Sequence, residues 1–342
     1  MEFSLFFFAN NDADAGTNYA LLLAAARLAD QRGFTAVWTP ERHFHQFGGA
    51  YPNPAVTGAA LATATERIGI RAGSVVAPLH DPVRVAEEWS VVDNLSGGRA
   101  GVAFASGWHT DDFVLRPDGY TERRRITVET IETVRRLWRG EKITRRNGAG
   151  MPADIALSPR PVQPELPIWM TTAGSEETFR AAGAHGTFVL THMLGQSVST
   201  LRTRIEAYRS AYADGPGEQG TGTVTLMIHA YVDRDGDLAR RLARKPFTDY
   251  LLSSWNLMSR LSDGVPQGEL SGAVLDGVIA RAADRYMTEN GIFGTPQHAV
   301  DMLRELQAAG VDEVAFLVDF GLPADAVLRG LEYLAALRRL VR

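Results

Sequence analysis

Short apolar runs alternate with amphipathic stretches along the whole chain. The runs Phe3–Phe8, Thr35–Trp38, Ile68–Val76, Ala100–Ala105, Ile168–Thr171, Thr187–Leu190, Val224–Val232 and Glu313–Val318 have the length and apolar content of buried strands. Between them, apolar positions recur at helical spacing over Tyr19–Gln31, Asn53–Thr65, Val83–Leu95, Thr121–Trp138, Glu176–His185, Val198–Tyr212, Pro296–Ala309 and Ala324–Leu340. Eight strands, each followed by a helix, predict an α/β protein of the closed (β/α)8 TIM-barrel type, a single domain over residues 1–342. An open doubly wound sheet more often has fewer strands and a glycine-rich first turn. Neither GxGxxG nor a P-loop follows the first strand here.

Two segments break the rhythm. Arg139 to Pro167 is rich in Gly, Pro and Arg and separates the fourth helix from the fifth strand. The second, about residues 240–293, follows the seventh strand. It holds helical patterns at Phe247–Leu261 and Leu275–Thr288 around Asp263-Gly264-Val265-Pro266. Insertions at the carboxyl ends of barrel strands form lids or substrate walls. The alternative is an excursion packed on the outside. Phe247, Tyr250, Trp255 and Met258 favour partial burial.

Composition removes several classes of function. The formal net charge is −5, Lys142 and Lys245 are the only lysines, and acids and bases are interspersed, so there is no basic patch for nucleic acid. The chain has no cysteine, which excludes disulfides, thiol nucleophiles and Cys-ligated metal or Fe–S sites. Met1–Phe8 is apolar but short and lacks a basic leader, so it is read as a strand and not a signal peptide. No apolar run reaches membrane-spanning length, and the expected location is cytoplasmic.

The densest chemistry lies in Trp38-Thr39-Pro40-Glu41-Arg42-His43-Phe44-His45-Gln46-Phe47-Gly48-Gly49, directly after the second strand. Barrel enzymes carry their sites at this end of the strands. His43 is the leading candidate for moving a proton near neutral pH. A structural histidine bonded to Glu41 is the equal alternative. Arg42 places a fixed cation there, for a carboxylate or phosphate on a substrate or for an ion pair with Glu41 or a nearby acid. His192, just past the sixth strand, faces the same end by barrel logic and is a second catalytic candidate. His45 reads as surface or loop, and mid-strand His229 as a satisfied core histidine. His43, His45, His80 and Asp81 lack the later-strand ligands that a metal hydrolase needs, so no metal site is expected. Thr171-Thr172-Ala173-Gly174-Ser175 joins a strand to a helix N-terminus. Ser175 and Thr178 there offer hydroxyls for an anion, or Ser175 is a plain N-cap.

Several motifs, taken in order, resemble those of the bacterial luciferase-like, flavin-dependent monooxygenase family. They are Glu41-Arg42-His43-Phe44 with Phe47-Gly48, Ile70–Pro78 with His80-Asp81-Pro82-Val83-Arg84, Asp93–Arg99, Gly107-Trp108 with Asp112-Phe113, and Gly294-Thr295-Pro296. The match covers essentially the whole chain. Trp38–Gly49 and Ala86–Leu95 are most similar to a branch associated with natural-product assembly lines.

The resemblance implies a TIM barrel and reduced FMN (FMNH2) delivered by a separate reductase. It also implies O2 as co-substrate, activated as a C4a-peroxyflavin that oxygenates a biosynthetic intermediate by hydroxylation or Baeyer–Villiger insertion. That intermediate is free or carried on a carrier protein. The resemblance points to phosphate contacts from Arg123 (Arg124 or Arg125 if the register differs by one), Ala173, Gly174, Ser175 and Thr178. It places a non-prolyl cis peptide at Gly73–Ser74 under a flavin ring, with Ser106 and Trp108 lining the mouth. Trp38 and Trp169 are read as apolar walls or core. Luciferase itself has His where Arg42 stands, which argues against light emission. The helices Asn53–Thr65 and Val83–Leu95 correspond to a dimer interface, so a homodimer is expected. Rival readings are an F420-dependent hydride-transfer oxidoreductase on the same fold, a non-catalytic flavin-binding paralogue and a carrier-docking module.

Overall fold

The computed structural model describes residues 1–8, 15–45, 47–215, 220–258 and 272–341. In chain order the elements are β1 (Glu2–Phe6), α1 (Ala15–Arg32), β2 (Ala36–Thr39), α2 (Pro54–Ala64), β3 (Gly69–Val76), α3 (Pro82–Ser96), β4 (Ala100–Ala105), α4 (Arg123–Trp138), β5 (Ile143–Arg146), β6 (Pro152–Ile155), β7 (Ile168–Thr171), α5 (Glu176–Ala184), β8 (Phe188–His192), α6 (Val198–Ala213), β9 (Val224–Val232), α7 (Gly236–Met258), α8 (Ala273–Glu289), β10 (Ile292–Gly294), α9 (Pro296–Ala308), β11 (Glu313–Leu317) and α10 (Ala324–Leu337). Parallel pairing runs β1-β2-β3-β4-β7-β8-β9-β11, and β11 returns to β1, so eight strands close the barrel. All eight anticipated strands and their following helices are present, with ends displaced by a few residues.

Local signals explain the boundaries. Asn53 Oδ1 accepts from the amides of Ala55 and Val56 and opens α2. Asp81 Oδ1 does the same for Val83 ahead of α3, with Pro82 at the first helical position. Gly97, at φ 67°, ends α3 in the left-handed conformation that favours glycine. The motif Asp93–Arg99 is structural. Asp93 accepts from the amides of Val162 and Gln163, while Arg99 donates to the carbonyls of Ala62, Thr65, Ile68 and Ser96. It staples the amino ends of β3 and β4.

The barrel interior carries a charged pair. Arg71 Nη1 donates to Glu313 Oε1 and Oε2 at 2.9 and 2.8 Å. Glu313 Oε1 also accepts from Ser4 Oγ at 2.6 Å and from Trp38 Nε1 at 3.2 Å. The Arg71 guanidinium lies over the rings of Trp38 and Trp169, 4.9 and 4.5 Å from their centroids. Trp38 and Trp169 therefore pack around an ion pair inside the barrel and belong to its core.

The two irregular segments hold more order than their composition suggests. Within the first, β5 and β6 form an antiparallel hairpin whose turn is closed by Asn147 Oδ1, accepting from Ala149 and Met151. In the second, α7 begins well before Phe247 because Asp235 Oδ1 caps it by accepting from Asp237 and Leu238. Asp263–Pro266 and the end of the expected helix at Leu261 lie outside the described residues. Phe247 and Tyr250 are buried, as expected; the side chains of Trp255 and Met258 are outside the description.

Helices α7 and α8 pack over His229 of β9. Its ring touches Phe247, Tyr250, Tyr286 and Phe320, and its Nδ1 lies 3.2 Å from Tyr286 Oη. Nε2 is buried and has no partner among the described residues, so this core histidine is only half satisfied. Burial pushes its pKa down to about 3, with His192 adding to the effect.

Two stability outcomes follow. Arg71→Ala leaves Glu313 buried with neutral donors only and lowers unfolding free energy by about 3–5 kcal/mol. Arg71→Met with Glu313→Gln recovers most of that loss in denaturant titration. Below its ordinary value of 6.5 the unfolded chain protonates His229, whereas the folded ring refuses the proton until about pH 3. Stability therefore falls on acidification by about 1.4 kcal/mol per pH unit for this group. His229→Phe flattens that slope in thermal melts between neutral and mildly acidic pH.

Candidate active site

The carboxyl end of the barrel gathers the ionisable groups. Glu41 lies just past β2 and its side chain is fully buried. Its Oε1 meets His43 Nε2 at 2.7 Å and His80 Nε2 at 2.6 Å, while Oε2 accepts the Val76 amide at 2.7 Å. Burial alone would raise the Glu41 pKa. The two imidazoles and the amide outweigh it and hold the carboxyl below its ordinary range. Burial likewise opposes charge on His80, but the Glu41 bond and the nearby Glu88 raise its pKa. His43 is thus bonded to Glu41, as the structural alternative required, and its ring still keeps 11% of its side-chain surface exposed.

Arg42 pairs with Asp112 and not with Glu41: Nη1 donates to Asp112 Oδ2 at 3.0 Å, and both side chains are buried. His109 Nδ1 sits 3.3 Å from the other Asp112 oxygen. The Trp108 ring covers the guanidinium, 5.1 Å from centroid to Cζ. Arg42 Nε and Nη2 are buried without partners among the described residues. Burial lowers the Arg42 pKa and Asp112 opposes that effect. His45 is a loop residue accepting the Phe47 amide at 3.0 Å.

The Gly73–Ser74 peptide is cis. A Cβ on Gly73 would stand 2.6 Å from the Phe6 ring, so the strand is open there only to glycine. Ser74 Oγ lies 2.5 Å from Thr171 Oγ1, which joins the end of β3 to the end of β7. Ser106 and Trp108 follow β4; Ser106 is half-buried and Trp108 exposed.

Beyond Thr171 the chain turns into α5. Gly174 has φ 107°, and a Cβ there would meet Arg204 Nη1 at 2.7 Å. Ser175 occupies the N-cap but makes no side-chain capping bond, so its hydroxyl is open. Ala173 is exposed and Thr178 half-buried one turn on. Arg204, held by Gln196 at 2.7 Å, lines a recess of about 350 Å³ with Glu176, Ser199, Thr200 and Thr203. Arg124 bonds Glu177 at 3.1 Å, bringing the start of α4 beside this helix end. Arg123 stacks on Tyr120 at 4.4 Å and spends one N–H on the Tyr120 carbonyl. The amide of Gly174 is taken by Thr172 Oγ1 and that of Thr178 by the Ser175 carbonyl, and Glu176 and Glu177 stand in the first turn. An uncapped hydroxyl, a glycine-only approach and nearby guanidinium groups still suit a phosphate dianion at this helix end. Arg125 turns to Glu122 and Glu129 instead.

His192 ends β8. Its Nδ1 is buried without a well-formed hydrogen bond among the described residues, and burial pushes its pKa down to about 4 against a weaker backbone contact with Leu194 that favours the charged ring. Thr191 Oγ1 donates to the Thr172 carbonyl, holding β8 against the loop that leads into α5. Sequence reasoning missed Asp112 as the partner of Arg42, His80 as the second partner of Glu41, Thr171 as the partner of Ser74, and Arg204 beside Gly174. Only folding makes these neighbours. Among the described residues no group of His, Asp and Glu could hold a metal ion, and no helix is long and apolar enough to cross a membrane.

A sequence profile of the luciferase-like monooxygenase family matches residues 1–313. The oxygenase component of a flavin-dependent trigonelline monooxygenase from Acinetobacter baylyi is 26% identical over 344 residues, spanning 97% of this chain and 93% of that protein. Monooxygenase RslO1 from Streptomyces bottropensis superposes with a TM-score of 0.81 at 24% identity, covering 98% of both chains. The oxygenating constituent of 3,6-diketocamphane monooxygenase from Pseudomonas putida, solved with FMN, gives 0.77 at 16% identity over 98% and 96%. An F420-dependent secondary alcohol dehydrogenase shares the fold at 0.72 and 18% identity, covering 100% of both chains. With its barrel and its family match taken together, the chain belongs to the luciferase-like monooxygenase family and is an oxidoreductase, a flavin-dependent monooxygenase.

Proposed function

We propose that this chain is the oxygenase of a two-component system: it takes reduced FMN from a separate reductase and oxygenates an organic biosynthetic intermediate, free or presented by a carrier protein. One observation carries the reading. The phosphate-shaped end of α5 and the Glu41–His43 pair stand at the same barrel mouth, bridged by Ser74 and Thr171. Bound reduced FMN supplies the two electrons that let O2 give one atom to substrate and one to water.

The chain's own residues do the rest. Gly174, Ser175, Thr178 and Arg123 hold the phosphate. The Gly73–Ser74 strand backs the flat ring, and Ser106 and Trp108 close over it. His43 handles the proton at the reacting end. The buried Nε and Nη2 of Arg42, unpaired among the described residues, are donors for an oxygen-bearing group of the substrate. His192, kept neutral by burial, stands behind the mouth at the end of β8 as the second candidate. Helices α7 and α8 form the substrate wall.

A groove of about 430 Å³ between α2 and α3, with an apolar floor of Ala55, Val56, Ala59, Val91 and Val92 flanked by Arg84, Glu87, Glu88 and Ser158, supports a homodimer through this face. Val56 and Val91 expose 68% and 42% of their surface there. The F420-fold relative supports a second reading, hydride transfer without O2.

Anaerobic titration with FMNH2, followed by mixing with air-saturated buffer, tests the first reading. Tight binding with reoxidation slower than that of free FMNH2 is expected. Absence of FMNH2 binding together with binding of F420 would replace it with the second. Gly174→Ala adds a methyl against Arg204 at a strained φ, and it weakens FMNH2 binding by roughly tenfold or more. Val56→Glu with Val91→Glu converts the dimer to a monomer in sedimentation, leaving FMNH2 affinity in place.

A further inference from the structure

Glu41 holds two imidazoles where one would orient His43. An ionised carboxylate only accepts hydrogen bonds, so the ring nitrogens facing it, His43 Nε2 and His80 Nε2, must both carry hydrogen. Both rings meet the same oxygen, Oε1, and the Val76 amide occupies Oε2. Neither histidine can move its proton to Nδ1 without leaving Glu41. For a neutral His43, Nδ1 is then a bare lone pair. It has no partner among the described residues and does not belong to the sealed polar atoms of the core.

We propose that Glu41 and His80 are positioning residues that fix His43 as the Nε2–H tautomer and keep it a proton acceptor, with His80 holding the one positive charge that Glu41 can balance.

The surroundings divide the two rings. His80 has the acid Glu88 of α3 in its field, which favours charge and works against Arg116, whose Nη1 donates to the His80 carbonyl at 2.9 Å. On the His43 side, Arg42 is already engaged with Asp112, and the ring's aromatic neighbour is the apolar Phe44, 5.6 Å between centroids. His80 is also the more exposed ring, at 28% against 11% of the side chain, and so is the one in exchange with solvent. The raised pKa of His80 agrees with this division. The proton balance is simple. A proton arriving at His43 Nδ1 from the mouth makes a second imidazolium on one carboxylate, and His80 answers by releasing its Nδ1 proton to water. One proton has left the mouth, and Glu41 has never been protonated.

This rests on the reading that His43 faces the reacting centre, so one arm of the test is independent of flavin. In the purified protein without flavin, 15N imidazole spectra assigned with His43→Gln and His80→Gln should show His43 protonated at Nε2 and bare at Nδ1 at pH 7.5. An Nδ1–H tautomer would overturn the proposal. The second arm follows reoxidation of bound reduced FMN against pH. His80→Gln keeps an N–H for Glu41 but cannot titrate, and it should displace the profile by about one pH unit with FMNH2 affinity within about twofold of the parent. A profile superimposable on the parent's would reduce His80 to a structural bond and sink the proposal. Failure of the unaltered protein to bind FMNH2 would overturn the functional reading, while the tautomer measurement still decides this one.

Discussion

The barrel is closed around a charged pair. Glu313 opens the last strand, and its carboxylate collects a donor from each of the first three: Ser4 of β1, Trp38 of β2 and Arg71 of β3. Burying the two ions costs several kcal/mol of hydration, and their attraction offsets that only because further donors and two indole faces complete the set. What the pair adds is register. Side chains alternate across a strand, so a slip of one residue at the β11–β1 seam would turn Glu313 outward and leave Arg71 alone in the interior. The seam on which closure depends therefore has one stable alignment.

Above this filled interior the chemistry changes. The mouth is assembled from loops after β2, β3, β4, β7 and β8, and its groups are held by one another. Glu41 joins the β2 loop to the end of β3 and the approach to α3, while Arg42 joins the same loop to the segment after β4. Two hydroxyls, Ser74 and Thr171, lock β3 to β7. A loop held at this many points behaves as part of the scaffold, which is what a site needs to keep atoms within a fraction of an ångström.

Much of this was legible beforehand. Barrel strands are buried on both faces, so they read as apolar runs, and β4, β7 and β9 end where their runs end. The residues of the mouth could be named because strand ends carry function in this fold. Their partners could not. Glu41 and His80 are 39 residues apart, Arg42 and Asp112 are 70, and Ser74 and Thr171 are 97. No periodicity spans such distances. The hairpin β5–β6 escaped because Ile143–Arg146 is largely polar and its turn rests on one asparagine. The early start of α7 escaped because Asp235 looks like one more charge in a polar loop.

The staple made by Asp93 and Arg99 was the reverse case: its residues stood out in the sequence, yet it touches nothing at the mouth. It binds the amino ends of β3 and β4 to the helices outside them. Foldedness is thereby anchored at one end of the barrel and reactivity at the other, with the length of the strands between. Changes at sites so far apart add almost independently in free energy. A lineage built on this plan can exchange one substrate for another by rewriting loops while its ability to fold is inherited unchanged.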